Sequence, residues 1–216
     1  MSCVAHQAMG FRLPRLYAII DPAQTGGRSA PAVAEALLRA GVRLIQLRDK
    51  NASSRALFEI GRQVAERVRA GGGTFIVNDR ADVARAVGAD GVHVGQDDLP
   101  VELARGILGP EKWVGYSTHD LEQLAEGDCS SADYLAFGPI FPTTSKEKPD
   151  PVVGLEGLRR ARQATRKPLV AIGGITVLNA RQVLEAGADS VAIIRGLYQT
   201  PEIEKTVEEF LRILGT

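Results

Sequence analysis

The sequence predicts a single (β/α)8 TIM barrel of the α/β class, and two observations carry this prediction. Eight short apolar runs recur along the chain, and segments with helical periodicity separate them. Because each helix returns the chain to the same end of the sheet, the strands are expected to pair in parallel. Eight such units occupy most of the 216 residues, so we predict one domain without long insertions.

The predicted strands cover residues 16–20, 42–47, 75–77, 91–94, 113–116, 134–137, 169–172 and 190–194. Between them, segments such as APAVAEALLRA and TVLNARQVLEAG place apolar residues three and four apart, and Gly follows several of them. The stretch AVGADGVHVGQ, residues 86–96, is echoed by EAGADSVAIIRG, residues 185–196. We assign residues 12–216 to the barrel and residues 1–11 to a flexible N-terminal extension.

The charge balance argues against several classes of partner. The chain has 26 Lys plus Arg and 26 Asp plus Glu, so no basic field attracts nucleic acid or an anionic membrane. No apolar run approaches the ~20 residues of a membrane helix, and the start MSCVAHQAMGF lacks the features of a secretory signal. We expect a cytoplasmic protein that binds small molecules; whether it forms a homo-oligomer is left open.

The second predicted strand ends in QLRDK, residues 46–50. In this fold the active site lies at the C-terminal ends of the strands, so the residues that follow each strand carry the functional prediction. Arg48 and Lys50 place two cations close together, which suits a multiply charged anion. Taken alone, either residue would more simply belong to a solvated loop.

Carboxylates follow the third and fourth strands, Asp79 in VNDR and the pair Asp97 and Asp98 in VGQDDLP. Carboxylates beside cations suggest Mg2+ carrying a phosphate, because this ion is usually held by one or two carboxylates while the substrate completes its shell. An Asp after a strand is also a common helix cap. We assign capping to Asp97 and predict Asp79 and Asp98 as metal ligands.

The fifth strand runs into GYSTHD. The hydroxyls of Ser117 and Thr118 can donate to a phosphate oxygen. His119 is interpreted as a residue at the entry to a helix, with a general acid or base role as the alternative. His93, inside the fourth strand, is interpreted as structural.

The sixth strand is followed by GPIFPTTSKEKPD. Pro139 and Pro142 stiffen the exit from the barrel. The hydroxyl residues 143–145 and Lys146 then predict an anion-binding loop that can close over a substrate.

The seventh and eighth strands end in AIGGIT and IIRGLY. Gly173 and Gly174 permit close backbone approach, and the loops after these two strands frequently form a phosphate site in this fold. The sequence thus predicts two anion sites, which would accept two phosphorylated small-molecule substrates.

In this order, QLRDK, NDR, GVHVGQDDLP, YSTH, GPIFPTTSKEKPDPVVGLEGL and AIGGIT resemble the thiamine-phosphate synthase family, over residues 16–198. The resemblance implies a transferase that joins 4-amino-2-methyl-5-hydroxymethylpyrimidine diphosphate to 4-methyl-5-(2-hydroxyethyl)thiazole phosphate, giving thiamine phosphate and pyrophosphate. It also implies Mg2+ as cofactor and a dissociative mechanism, in which pyrophosphate leaves before the thiazole nitrogen attacks a pyrimidinylmethyl cation.

The resemblance also implies roles for individual residues. The pyrimidine diphosphate would be bound by Gln46, Leu47, Arg48, Asp49, Lys50, Asn78, Ser117 and Lys146, of which Arg48, Lys50, Ser117 and Lys146 would be catalytic. The thiazole phosphate would be bound by Thr143, Ser145, Gly174, Ile194 and Arg195, and Mg2+ by Asp79 and Asp98. The family usually has Ser where this chain has Arg195, so this arginine either binds the phosphate or points outward.

Two alternative functions stay open. A thiazole tautomerase of the TenI type shares the barrel and would isomerise a thiazole carboxylate phosphate with His119 as acid or base. It has no need for the Asp79 and Asp98 pair. A non-catalytic phosphate-binding barrel is the second alternative, because a fold alone never proves activity.

Overall fold

The computed structural model describes residues 12–143, 150–200 and 202–216, and it confirms the predicted barrel. Eight parallel strands close on one another in chain order, with β1 pairing both β2 and β8. Within the described ranges, no helix has the length and apolarity needed to cross a bilayer. The predicted N-terminal extension at residues 1–11 lies outside the described residues.

The strands are β1 Leu16–Ile20, β2 Leu44–Leu47, β3 Thr74–Asn78, β4 Gly91–Val94, β5 Trp113–Thr118, β6 Tyr134–Phe137, β7 Leu169–Ile172 and β8 Ser190–Ile193. The helices are α1 Ala30–Arg39, α2 Ser54–Ala70, α3 Ala81–Ala86, α4 Val101–Leu108, α5 Leu121–Cys129, α6 Gly154–Ala164, α7 Ala180–Glu185 and α8 Ile203–Leu214. Short 3-10 helices cover Pro22–Gln24 and Arg195–Leu197.

Four strands, β2, β3, β5 and β8, differ from their predicted boundaries by one or two residues at one or both ends. β2 begins at Leu44 rather than at residue 42, because the N–H of Val42 donates to the carbonyl of Leu37 at 3.0 Å and so closes the end of α1. β5 continues to Thr118, since Ser117 and Thr118 still pair with β6. The barrel thus carries Ser117 within a strand and not on a loop.

Apolar side chains form two layers, one on each side of the barrel wall. The larger cluster fills the space between the strands and the helices. The smaller cluster fills the barrel interior and consists of Tyr17, Ile19, Leu44, Ile76, Tyr134, Ala136, Val170 and Ala192. Two tyrosines in this interior bring polar hydroxyls into an otherwise apolar space, and such groups need hydrogen-bond partners.

Three aspartates repeat one contact at the end of the barrel where the strands begin. Each precedes an even-numbered strand, and each accepts a hydrogen bond from a backbone N–H near the start of the preceding strand. The distances are 2.8, 2.7 and 2.8 Å for Asp90, Asp133 and Asp189. The echo between residues 86–96 and 185–196 therefore has a structural cause, because both stretches contain one of these aspartates.

Candidate active site

The cation of Arg48 is held at the mouth of the barrel by a carboxylate that the sequence patterns did not single out. Arg48 Nη1 lies 2.5 Å from Asp21 Oδ2, and the two side chains are only 15% and 8% exposed. Asp21 directly follows β1 in the stretch AIIDP. The signal was the same as for Asp79, a carboxylate at the end of a strand, and it would have placed Asp21 at the mouth.

The turn after β3 brings a second cation and carboxylate together. β3 ends at Asn78, and the next residue, Asp79, has a φ of 63°. Asp79 is the one non-glycine residue with positive φ among the described residues, a conformation that costs about 1 kcal/mol and is often found at functional sites. Lys50 Nζ lies 3.1 Å from Asp79 Oδ2. The turn thus aims a carboxylate at Lys50.

Asp79 and Asp98 form a pair of neighbouring carboxyl groups. Burial and the adjacent Asp98 raise the pKa of Asp79 to about 6, although Lys50 acts in the opposite direction. Asp98 Oδ2 also accepts a hydrogen bond from the N–H of Gly95 at 2.7 Å. Two carboxylates that oppose each other's ionisation form a site that a cation would stabilise.

The donor set fits Mg2+ but not a metal held by the protein alone. Among residues 12–143, 150–200 and 202–216, no group of three or more His, Cys, Asp and Glu side chains could hold a metal ion. Mg2+ is commonly bound through one or two carboxylates, with substrate phosphates and water as the other ligands. The paired oxygens of Asp79 and Asp98 meet that requirement.

Three strand-end residues use their side chains differently from what the sequence suggested. The capping role assigned to Asp97 is wrong, because Asp97 is exposed and α4 begins after Pro100 without a side-chain cap. Leu47 is fully buried in the layer between strands and helices. Asp49 accepts from the N–H groups two and three residues further along, at 3.1 and 3.0 Å. Their substrate contacts stay predictions.

Ser117 and Gln46 are connected through the barrel interior by a series of hydrogen bonds. Gln46 Nε2 donates to the Tyr17 hydroxyl at 2.7 Å, which lies 3.0 Å from the hydroxyl of Tyr134. That hydroxyl is 3.1 Å from His93 Nδ1, and His93 Nε2 is 2.8 Å from Ser117 Oγ. The structural interpretation of His93 is confirmed, but its partners include a predicted site residue.

A cavity of about 360 Å³ opens beside the ends of β6, β7 and β8. It brings together four of the five residues predicted to bind the thiazole phosphate, namely Thr143, Gly174, Ile194 and Arg195. The fifth, Ser145, lies outside the described residues, as does Lys146.

The Gly-Gly pair after β7 lets two loops pack against each other along one side of this cavity. Gly173 and Gly174 have φ of 101° and 62°. A Cβ atom on Gly173 would lie 2.4 Å from Cβ of Pro139, and one on Gly174 would lie 2.5 Å from the carbonyl oxygen of Pro142. Both the conformation and the close approach therefore require glycine.

His119 lies at the entry to α5, as predicted, and its ring also lines the cavity. Its Nδ1 lies 2.7 Å from the carbonyl oxygen of Gly138, and its Nε2 lies 3.6 Å from Asp150 Oδ2. The helix is capped by the next residue, Asp120, which accepts from the N–H of Gln123 at 2.8 Å. The interpretation of His119 as a helix-entry residue is thus incomplete, because its ring contributes to the cavity.

The chain is similar to known proteins over nearly its whole length. Residues 16–197 match the family model described as thiamine monophosphate synthase. The chain is 51% identical over 211 residues to a thiamine-phosphate synthase of Koribacter versatilis (strain Ellin345), covering 96% of this chain and 99% of the relative. A thiamine-phosphate synthase of Chloroflexus aurantiacus is 45% identical over 201 residues, or 93% of each chain. The solved structure of thiamine phosphate pyrophosphorylase from Pyrococcus furiosus matches with a TM-score of 0.84 and 38% identity, over 93% of this chain and 95% of that one.

Proposed function

Because this chain belongs to the thiamine-phosphate synthase family of transferases, we propose that it joins 4-amino-2-methyl-5-hydroxymethylpyrimidine diphosphate to 4-methyl-5-(2-hydroxyethyl)thiazole phosphate. The products are thiamine phosphate and pyrophosphate. The observation that carries the proposal is that two groups of residues suited to binding anions lie at one barrel mouth. One is the cluster of cations and carboxylates after β2 to β4, and the other is the glycine-lined cavity beside β6 to β8.

The pyrimidine diphosphate is assigned to the first site. Arg48 is fixed by Asp21, so its remaining N–H groups are oriented before the substrate arrives. Lys50 is about half exposed and can turn from Asp79 toward a phosphate oxygen. Gln46, Asn78 and Ser117 add polar groups, and Lys146 is assigned a further cationic contact by the family resemblance.

Asp79 and Asp98 are assigned to Mg2+. When bound, the ion supplies positive charge to the diphosphate and stabilises the pyrophosphate that leaves. The raised pKa of Asp79, about 6, supports this assignment because it reflects two carboxyl groups placed side by side in a partly buried turn.

The thiazole phosphate is assigned to the cavity. Thr143 supplies a hydroxyl, and Gly174 has no side chain to cover its backbone; both residues line the cavity. Ile194 and Arg195 lie where β8 passes into the 3-10 helix Arg195–Leu197, and both line the same cavity. Ser145 is assigned to this phosphate by the family resemblance.

The proposed reaction is dissociative and needs no nucleophile from the protein. The bond between the pyrimidine methylene carbon and the diphosphate oxygen breaks first, and the electron pair leaves with pyrophosphate. The thiazole nitrogen then donates its lone pair to the resulting pyrimidinylmethyl cation. The protein lowers the barrier by holding the two substrates in line and by placing cations where the leaving group gains charge.

A thiazole tautomerase is the second candidate, and one observation favours it. His119 lines the cavity assigned to the thiazole phosphate, where an acid or base would be needed. A tautomerase has no need for the pair of Asp79 and Asp98, so this activity would not explain why the two carboxyl groups lie side by side. We therefore rank the tautomerase below the synthase.

The test measures formation of thiamine phosphate from both substrates, first with Mg2+ and then with excess chelator. We expect product only with the metal. Undiminished turnover with chelator would rule out the metal assignment. Absence of thiamine phosphate, with isomerisation of a thiazole carboxylate phosphate instead, would transfer the assignment to the tautomerase and make His119→Ala the next variant.

Two neighbouring aspartates provide a matched pair of variants for the same assay. We expect Asp98→Asn to reduce Mg2+-dependent turnover by at least about 100-fold, on the scale of losing a metal ligand or its support. Asp97→Asn changes an exposed carboxylate one residue away and should leave turnover within about twofold. Equal turnover in the two variants would contradict the role of Asp98.

A further inference from the structure

We propose that Tyr134 and His93 are positioning residues that hold the hydroxyl of Ser117 in one orientation, with its proton directed to the substrate. They belong to what we call the interior relay, the hydrogen-bonded series Gln46, Tyr17, Tyr134, His93 and Ser117. The inference rests on the proposed function, in which Ser117 contacts the pyrimidine diphosphate.

The relay has a direction because each phenol has one proton. Gln46 Nε2 donates to the Tyr17 oxygen at 2.7 Å, so the Tyr17 proton is available for the oxygen of Tyr134, 3.0 Å away. Tyr134 then donates its own proton to His93 Nδ1 at 3.1 Å. An accepting Nδ1 leaves the proton of neutral His93 on Nε2.

The contact between His93 and Ser117 determines whether the serine hydroxyl can donate its proton to a substrate. His93 Nε2 lies 2.8 Å from Ser117 Oγ, so the protonated Nε2 donates and the serine oxygen accepts. The proton of Ser117 is then left for a group at the C-terminal end of β5. In the reverse direction, Ser117 would give its proton to His93 and present only lone pairs to an anionic diphosphate, which would be repelled.

Burial, together with the orientation of the Gln46 amide, favours this direction of the relay. Gln46, Tyr17, Tyr134 and His93 are each 7% exposed or less. Burial also raises the pKa of both phenols well above the usual range, so each hydroxyl keeps its proton and stays a donor. With Gln46 Nε2 facing Tyr17, reversal would aim the Tyr17 proton at this N–H, and a buried donor without an acceptor is costly.

Gly115 gives independent support for the contact between Tyr134 and His93. A Cβ atom at this position in β5 would lie 2.1 Å from Tyr134 Cζ, 2.4 Å from its hydroxyl oxygen and 2.4 Å from His93 Nδ1. The only residue type without a side chain thus stands where the two groups meet. The rings are also stacked, with centroids 5.5 Å apart and planes at 29°.

A double-mutant cycle tests whether Tyr134 acts through Ser117. We expect Tyr134→Phe to lower kcat about tenfold, the rate equivalent of one hydrogen bond. In a Ser117→Ala background the same substitution should change kcat by less than about twofold, because its target is gone. Independent, multiplying effects of the two substitutions would overturn the proposal.

Tyr198→Phe is the matched control. It also removes the hydroxyl of a buried tyrosine, which donates to the carbonyl of Ile19 at 3.0 Å, but outside the relay. We expect kcat within about twofold of wild type. A tenfold loss here, with folding intact by circular dichroism, would show that any buried tyrosine hydroxyl matters and would overturn the specific role of Tyr134.

The tautomer of His93 is a readout that does not depend on turnover. The 15N resonances of the ring should show Nε2 protonated and Nδ1 bare in the wild-type protein, and Tyr134→Phe should abolish this single tautomer. Gly115→Ala should do the same with both side chains retained. A proton on Nδ1 in the wild type would overturn the relay.

If the wild type makes no thiamine phosphate, the proposed function fails, while these spectra still decide the direction of the relay.

Discussion

Each cation after β2 contacts a carboxylate from another strand end, and the two pairs differ in how firmly they are held. The pair of Arg48 and Asp21 is largely buried, so removing either charge would leave the other desolvated. The pair of Lys50 and Asp79 is more exposed, with Lys50 at 54%, and such pairs are weak. In the proposed phosphate site, Arg48 would therefore be a fixed contact and Lys50 an adjustable one.

Arg195 is the residue whose role a single substitution can decide. It lines the cavity at the start of the 3-10 helix after β8. If its guanidinium contacts the thiazole phosphate, Arg195→Ser should raise KM for that substrate about tenfold, the loss of a hydrogen bond to a charged group. KM for the pyrimidine diphosphate should change by less than about twofold.

Arg181→Ser is the control for that measurement, because Arg181 is an exposed arginine on α7 paired with Glu185. We expect both KM values to match wild type. An equal effect of Arg195→Ser on the two substrates, or none on either, would place Arg195 outside the site.

Among the elements, the turns after β6 and β7 depend on each other. The N–H of Phe141 donates to the carbonyl of Gly173 at 3.0 Å, and that of Ile140 donates to the carbonyl of Ile172 at 2.9 Å. The wall of the cavity is thus built from backbone of two loops in direct contact. Repositioning one loop alone would break these hydrogen bonds.

Gly174→Ala should separate these two loops. The substitution places a Cβ atom 2.5 Å from the carbonyl oxygen of Pro142, at a φ of 62°. We expect the free energy of unfolding to fall by about 1–3 kcal/mol and KM for the thiazole phosphate to rise at least tenfold. Thermal unfolding and steady-state kinetics measure both. Unchanged affinity for the thiazole phosphate would contradict the assignment of this cavity.

Gly106→Ala is the matched control for that substitution. Gly106 lies inside α4 and does not have a positive φ, and a Cβ atom added there would have no neighbouring atom within 4 Å. Alanine is the better helix former, so we expect stability to rise by about 0.5–1 kcal/mol. Kinetic constants should stay at wild-type values.

For the whole molecule, the two ends of the barrel divide function and stability. The proposed substrate sites gather at the C-terminal ends of the strands, whereas Asp90, Asp133 and Asp189 tie neighbouring strands together at the other end. Such a division is common to barrels of this fold. It predicts that changes at the lower end affect folding and leave turnover alone.

Asp133→Ala tests this division. The carboxylate accepts from the N–H of Val114 at 2.7 Å and pairs with Arg105 at 2.5 Å, where the arginine is only 17% exposed. Its loss should lower the free energy of unfolding by about 2 kcal/mol, because the N–H of Val114 loses its acceptor and the largely buried Arg105 loses its carboxylate. kcat of the folded enzyme should be unchanged.

Glu185→Ala is the corresponding control, since Glu185 is an exposed carboxylate whose ion pair with Arg181 lies at the surface. We expect stability within about 0.5 kcal/mol of wild type. A drop in kcat for Asp133→Ala, measured on fully folded protein, would show that the two ends of the barrel are coupled.

The amino-acid sequence was sufficient to locate the strands and the strand ends to which we assign the chemistry. β1, β4, β6 and β7 begin and end at the residues predicted from the apolar runs, because a strand buried on both faces needs a continuous apolar stretch. Parallel strands separated by helices must end on the same side, so Arg48, Asp79 and Gly174 were placed at the mouth without a structure.

Only the closed barrel determines which of these groups contact each other. The partners Tyr17 and Tyr134 are 117 positions apart, and Arg48 and Asp21 are 27 apart, and no local pattern pairs them. Contacts across the barrel depend on closure and on the register of every strand between. The direction of the interior relay, and with it the orientation of Ser117, therefore exists only once all eight strands have closed.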